Sequence, residues 1–197
     1  QERENSHRSP AYHTKQRAIK IDHVSLRYGK KQILNNLSFT AFKGDIIGIV
    51  GKNGVGKSTF CRSVCGLHPL STGSIQIEDN YTSEKERRSL SYIVMQDVNH
   101  QLFGDSVMEE MTISQDHPDM EKANELLQEF ALEDYKDHHP LALSGGQKQR
   151  LAIAVSLMLH KQIYLFDEPS SGLDYQSMCA IRDQIAELSD NGSTIFL

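Results

Sequence analysis

The sequence predicts an α/β fold: a mostly parallel sheet, joined to an antiparallel β subdomain and a small helical subdomain. Three observations predict it. Residues 46–50 read Ile-Ile-Gly-Ile-Val, a short apolar run rich in β-branched residues. Such runs are the pattern of a strand buried in a parallel sheet. The glycine-rich run Gly51-Lys52-Asn53-Gly54-Val55-Gly56-Lys57-Ser58 follows it directly. A second apolar run, Ile163-Tyr164-Leu165-Phe166, ends in Asp167-Glu168-Pro169, and open α/β sheets carry their ligands beyond the carboxyl ends of the strands.

Taken in chain order, residues 1–18 are polar, lack periodicity and carry Pro10, so they read as a linker or tail. Strands are expected around 19–26, 32–41 and 73–77, forming the antiparallel subdomain. Lys57 opens a helix that carries Cys61 and Cys65 on one face at i, i+4, as small core residues. The run Glu84-Lys85-Glu86-Arg87-Arg88 reads as a solvated charged face. Tyr92-Ile93-Val94-Met95 is an apolar strand ending at Gln96. Pro118-Asp119 begins a helix with Ala123, Leu126, Leu127 and Phe130 on one core face. Ser144-x-x-Gln147 before an apolar run is a capping box for a further helix. The last strand begins near Ser193 and runs to Leu197.

The glycine run explains itself chemically. Strand, glycine loop and helix form a P-loop, Gly-x4-Gly-Lys-[Ser/Thr]. A triphosphate is ringed by backbone N–H groups, which requires that no side chain block the approach. Gly51, Gly54 and Gly56 leave that path open, with Asn53 and Val55 between them, and the helix N-terminus at Lys57, Ser58 and Thr59 adds partial positive charge. Lys57 reaches the β- and γ-phosphates, and the Ser58 hydroxyl ligates Mg2+. Two adjacent acids at the end of the second strand are costly to bury without a cation. Mg2+ supplies one for Asp167, which frees Glu168 to orient or deprotonate an attacking water. The alternative, a solvated acidic pair at a strand end, loses weight beside the P-loop.

Leu143-Ser144-Gly145-Gly146-Gln147 adds something a helix cap does not need. Two glycines at a helix start let a phosphate reach the backbone. One domain needs one γ-phosphate cradle, so a second anion-binding helix start suggests a site shared between two copies.

With these runs in place, the chain resembles the nucleotide-binding domain of an ATP-binding-cassette (ABC) protein over residues 19–197. The P-loop at 51–58, Gln96 as the glutamine loop, the signature at 143–147, the acidic strand at 163–168 and Ser171-Gly172-Leu173-Asp174 as the D-loop carry the resemblance. It implies ATP and Mg2+ as cofactors and Gln96 as a further group near the metal and the γ-phosphate. It implies an aromatic ring, here Tyr28 before Gly29-Lys30, stacked on adenine. It also implies a head-to-tail dimer in which Ser144, Gly145, Gly146, Gln147 and Asp174 act in trans on the partner's nucleotide. The family's switch histidine would follow the strand that begins at Ser193, beyond Leu197, and the chain opens on Gln1 rather than Met. The chain is therefore expected to be a segment of a longer polypeptide, one that can carry a second cassette.

Only 87 positions separate Lys57 from Ser144, too few for the long coiled coils of the DNA-repair relatives. The segment from 97 to 143 would form the helical subdomain. Within it, Gln96-x4-Gln101-Leu102-Phe103 followed by Ser106-Val107 and acids resembles the ATPases of energy-coupling-factor importers, which take up vitamins or metal ions. The resemblance implies that an integral-membrane partner docks near this segment, with Leu102 and Phe103 as apolar anchors. His100 reads as a solvated loop histidine. Two rival readings stay open: a soluble ABC ATPase without a membrane partner, of the ribosome-associated type, and a non-hydrolysing regulatory cassette, against which the intact Lys57, Asp167 and Glu168 argue.

Composition sets the outer limits. At 197 residues and 38% hydrophobic content the chain suits one domain. No apolar run approaches the roughly 18 residues that span a bilayer, so a transport path would lie in another polypeptide, with this chain peripheral at the cytoplasmic face. A net charge of −5 argues against a general nucleic-acid surface. The three cysteines lack metal-binding spacing and fit a reducing compartment.

Overall fold

A computed structural model describes residues 16–168 and 175–197. Two four-stranded sheets organise them. The first is antiparallel, with β1 (Arg17–Tyr28), β2 (Lys31–Phe42), β4 (Thr72–Ile77) and β5 (Asn80–Tyr81) in the order β2-β1-β4-β5. The second is parallel, with β3 (Ile46–Ile47), β6 (Ser91–Val94), β7 (Ile163–Phe166) and β8 (Thr194–Phe196) in the order β3-β8-β7-β6.

Alternation along the parallel strands splits the core in two, because successive side chains point to opposite faces. Ile163 and Leu165 of β7, with Ile93 of β6 and Phe196 of β8, join a cluster built from β1, β4 and the helix α1 (Lys57–Val64). Phe60, Cys61, Val64 and Cys65 of α1 lie inside that cluster, which ties the P-loop helix to both sheets. Tyr164, Phe166, Val94 and Ile195 face the other way. They pack against α3 (Val107–Thr112), α4 (Met120–Glu129), α5 (Gly145–Met158) and α6 (Tyr175–Asp190). α4 buries Ala123, Leu126 and Leu127, with Phe130 buried at its C-cap, as their spacing predicts. α5 is buried along most of its length, including Leu151 to Met158, so it runs through the core rather than over it.

Two expectations about these elements need correction. Residues 46–50 do not form a strand buried on both faces. Only Ile46–Ile47 is strand, it lies at the edge of the parallel sheet, and Ile46 is half exposed. The Ile49 N–H still donates to the Leu197 carbonyl at 2.6 Å, but Val50 turns outward into the glycine loop and is 96% exposed. β-branched composition fixes a preference for extended backbone, and neighbours decide burial. The run 84–88 is likewise not wholly solvated. It forms α2 (Glu84–Leu90), capped by a reciprocal Ser83–Glu86 box, with Arg87 only 3% exposed. The Arg87 guanidinium donates to the Thr82 carbonyl at 2.8 Å, and burial pulls its pKa down against the raising effect of Glu84. No helix among the described residues is long and apolar enough to cross a membrane.

Candidate functional site

The strand ends and the glycine loop meet at one cavity of about 400 Å³, within the range of small-molecule sites. Its lining includes Tyr28, Asn53, Gly54, Gly56, Lys57, Ser58, Thr59, Gln96 and Glu168, residues drawn from four separate stretches of chain. Sequence reasoning missed two neighbours, Lys31 and Ile33 of β2. The register of the β1–β2 hairpin places Lys31 opposite Tyr28. The short Gly29-Lys30 connection, with Gly29 at φ 57°, was the signal that could have found the pairing.

The glycine loop is shaped by close approach. Gly56 sits at φ 113°, and a Cβ added there would lie 2.0 Å from Ile33 Cγ2. Gly54 also has positive φ, but faces open space. The start of α1 differs from those of α2 to α5. Gly56 is its N-cap and offers no side-chain acceptor. The cap side chains of α2, α3, α4 and α5, Ser83, Ser106, Asp119 and Ser144, each accept from a backbone N–H, that of Glu86, Glu109, Lys122 and Gln147 respectively. The first N–H groups of α1 are thus left for an external acceptor, at the helix end where an anion is favoured.

Lys57 Nζ donates to the Gly51 carbonyl at 3.0 Å and lies 3.8 Å from Glu168 Oε1. The Gln96 amide donates to Glu168 Oε2 at 3.0 Å. Glu168 adopts φ 57°, in the left-handed region that non-glycine residues rarely occupy. Asp167 is buried at the end of β7, and its N–H donates to the Val94 carbonyl at 2.9 Å. It lies close enough to Cys61 for its charge to help raise that thiol. Burial is the main cause that pushes Cys61 and Cys65 to about 12 each, in keeping with small core residues.

The donor types suit a nucleotide with a hard cation. Ser58 and Gln96 line the cavity beside the uncapped helix start and Lys57, while Asp167 is buried at the end of β7 next to Glu168 and is not part of the lining; the Ser58 hydroxyl, Gln96 carbonyl and Asp167 carboxylate are oxygen donors of the kind Mg2+ takes. Tyr28 is 69% exposed beside the cavity and stacks on His68, with ring centroids 6.3 Å apart.

The signature run lies elsewhere. Ser144 caps α5, accepting from the Gln147 N–H, while the Ser144 N–H donates to Gln147 Oε1 at 2.8 Å. Ser144 and Gly145 are exposed, and Gly145 has nothing within 4 Å of a notional Cβ. Neither Ser144, Gly145, Gly146 nor Gln147 lines the P-loop cavity. Asp174 and the rest of the 171–174 run lie outside the described residues. Of the two expected apolar anchors, Phe103 is 76% exposed, but Leu102 is buried in the core beside Val98 and Val107. Leu102 is thus corrected from surface anchor to core residue. His100 is exposed, 3.6 Å from Asp97.

Comparison with known proteins places the chain in a family. The ABC transporter family model matches residues 34–171. A putative ABC transporter ATP-binding protein of Treponema denticola is 46% identical over 178 residues, covering 90% of this chain and 36% of its own length. The energy-coupling factor transporter ATP-binding protein EcfA1 of Fusobacterium nucleatum is 34% identical, covering 90% of this chain and 71% of its own. Among solved structures, a bacterial Atm1-family ABC exporter with ATP bound superposes with a TM-score of 0.81 at 28% identity, over 96% of this chain and 36% of that one. The chain spans only about a third of the first of these relatives. With its P-loop, its acidic strand end and its parallel sheet, this chain belongs to the ABC transporter family.

Proposed function

We propose that this chain binds ATP with Mg2+ and hydrolyses ATP to drive a membrane transporter, of the energy-coupling-factor type, for a vitamin or a metal ion. The observation that carries the reading is the single cavity joining an uncapped helix start, Lys57 and Ser58 to Gln96 and Glu168. The N–H groups of the glycine loop and α1 hold the phosphates, Lys57 pairs with the β- and γ-phosphates, and the Tyr28 ring stacks on the base. Ser58, Asp167 and Gln96 would hold Mg2+, which would supply positive charge against the phosphate oxygens. Glu168 accepts the proton of the attacking water, and the positive φ of its backbone fixes its direction.

In this reading Ser144, Gly145, Gly146, Gln147 and Asp174 complete a partner's nucleotide site. Their support is the exposed, open start of α5 and its separation from this chain's own cavity. The partner is a second ABC domain, in another chain or in the same one, and the assembly sits at the cytoplasmic face of the membrane against an integral-membrane subunit. The energy-coupling-factor assignment draws on the Gln101-Leu102-Phe103 segment and on the likeness to EcfA1. Co-purification of the full-length protein from detergent-solubilised membranes tests it. Recovery with a small integral-membrane protein and transport-linked ATP turnover is the expected result. Recovery with ribosomes and no membrane protein overturns it.

A further inference from the structure

The parallel sheet ends at β6, and its outer edge is closed by a side chain instead of a strand. Toward β7, the Val94 carbonyl accepts from the Asp167 N–H. Because backbone groups alternate along a strand, the Ile93 carbonyl and the Met95 N–H point to the opposite, outer edge. Both are taken by the carboxamide of Gln101. The Met95 N–H donates to Gln101 Oε1 at 2.7 Å, and Gln101 Nε2 donates to the Ile93 carbonyl at 2.6 Å. One amide thus supplies the acceptor and the donor that a neighbouring strand would have provided. This hook closes the loop 96–101, whose interior turn is capped by Asp97. Lys148 of α5 reaches the same loop, donating to Asn99 Oδ1 at 3.0 Å. Leu102, buried in the core, anchors the far side.

We infer that Gln101 is a positioning residue for ATP hydrolysis: by fixing the peptide groups on both sides of Val94 and the direction in which the chain leaves Met95, it holds Gln96 within hydrogen-bond reach of Glu168. Gln96 is itself exposed at the cavity. Its 3.0 Å bond to Glu168 therefore depends on where its backbone is held. The inference rests on the proposed role of Gln96 at the nucleotide.

The test compares Gln101→Met, Gln96→Ala and the double variant in the full-length transporter assembly. ATP turnover, ATP affinity, hydrogen exchange at the Met95 amide and the melting temperature are measured for each. Gln101→Met keeps the volume and removes both bonds. It should lower kcat about tenfold while ATP affinity stays within about twofold, and the Met95 amide should lose protection. Because Gln101 acts through Gln96, the double variant should be no slower than Gln96→Ala alone. If Gln96→Ala slows turnover and Gln101→Met does not, the inference fails while the role of Gln96 stands. If Gln96→Ala itself leaves turnover unchanged, the role of Gln96 fails and the inference with it. Additive losses in the double variant also overturn the inference, since Gln101 would then act by another route. Should Gln101→Met not fold, Gln101→Glu decides the matter, because it still accepts from Met95 but offers no donor to the Ile93 carbonyl. It should also lose turnover at unchanged ATP affinity, and wild-type turnover in that variant overturns the inference.

Discussion

The Gln96 amide donates to the Glu168 carboxylate at 3.0 Å, across 72 positions of sequence. Adjacent parallel strands make that contact, since β6 and β7 run in register from Ser91↔Ile163 to Val94↔Phe166 and deliver their following residues to the same end of the sheet. Lys57 reaches the same carboxylate from the glycine loop. A carboxylate, a carboxamide and a lysine ammonium therefore share one corner of the cavity.

Glu168→Gln should retain ATP binding and lose turnover by about a hundredfold or more, the scale of a missing general base. The amide keeps the shape, the Gln96 contact and the strand end, but cannot accept the water's proton. Steady-state turnover beside calorimetric ATP affinity separates the two effects. Turnover within about threefold of wild type would assign the base elsewhere.

Gly56→Ala should weaken the cradle without touching a charge. The methyl would meet Ile33 at 2.0 Å, on a backbone at φ 113° that alanine rarely adopts. A melting temperature lower by several degrees, matching a cost of about 1–3 kcal/mol, should accompany weaker ATP binding. Unchanged melting and affinity would show that the loop relaxes freely.

Phe103→Ala should leave ATP affinity of the isolated chain intact and weaken assembly with the membrane subunit proposed above. Phe103 is held outward: its N–H and that of Gly104 both donate to buried Glu110 Oε2 at 2.6 Å, while Leu102 is buried beneath. An exposed aromatic on a fixed backbone loses little entropy when it docks. Reconstituted assembly and uptake check this. Loss of ATP binding with assembly preserved would place Phe103 in the domain's own integrity.

Stability should fall as pH rises above about 9. Burial raises Cys61 and Cys65 from 9.0 to about 12, so the folded state keeps these thiols protonated where the unfolded chain ionises them. A raised folded pKa contributes stability that is complete below the unfolded value and is lost between it and the folded value. Tyr92, raised to about 12, and Tyr164, also raised, act in the same direction at higher pH. The Cys61→Ala/Cys65→Ala variant should therefore show a shallower fall in melting temperature between pH 8.5 and 10.5. An identical slope would remove the cysteines from the account.

Much of the fold was legible because it rests on local rules. The i, i+3, i+4 spacing of Ala123, Leu126, Leu127 and Phe130 gave a helix face, Ser144-x-x-Gln147 gave a cap, and Ile163-Tyr164-Leu165-Phe166 gave a strand buried on both sides. The cavity residues from the glycine loop and the strand ends were legible because phosphate chemistry restricts which residues can stand there. Burial inside irregular loops was not. Leu102 and Phe103 are adjacent apolar residues with opposite fates, and no period separates them. Arg87 sits in a charged run, yet the Thr82 carbonyl draws it inside. Lys31 joins the cavity through hairpin register, and Gln101 joins β6 through a side chain that imitates backbone. Such pairings depend on tertiary neighbours.

The most direct test of the central claim is the ATP affinity of Lys57→Ala, measured by titration calorimetry with Mg2+. Lys57 lines the cavity next to a helix start left uncapped by Gly56. Loss of measurable ATP binding, with the fold retained by circular dichroism, is the result expected of a phosphate cradle. ATP affinity equal to that of the unsubstituted chain would contradict it.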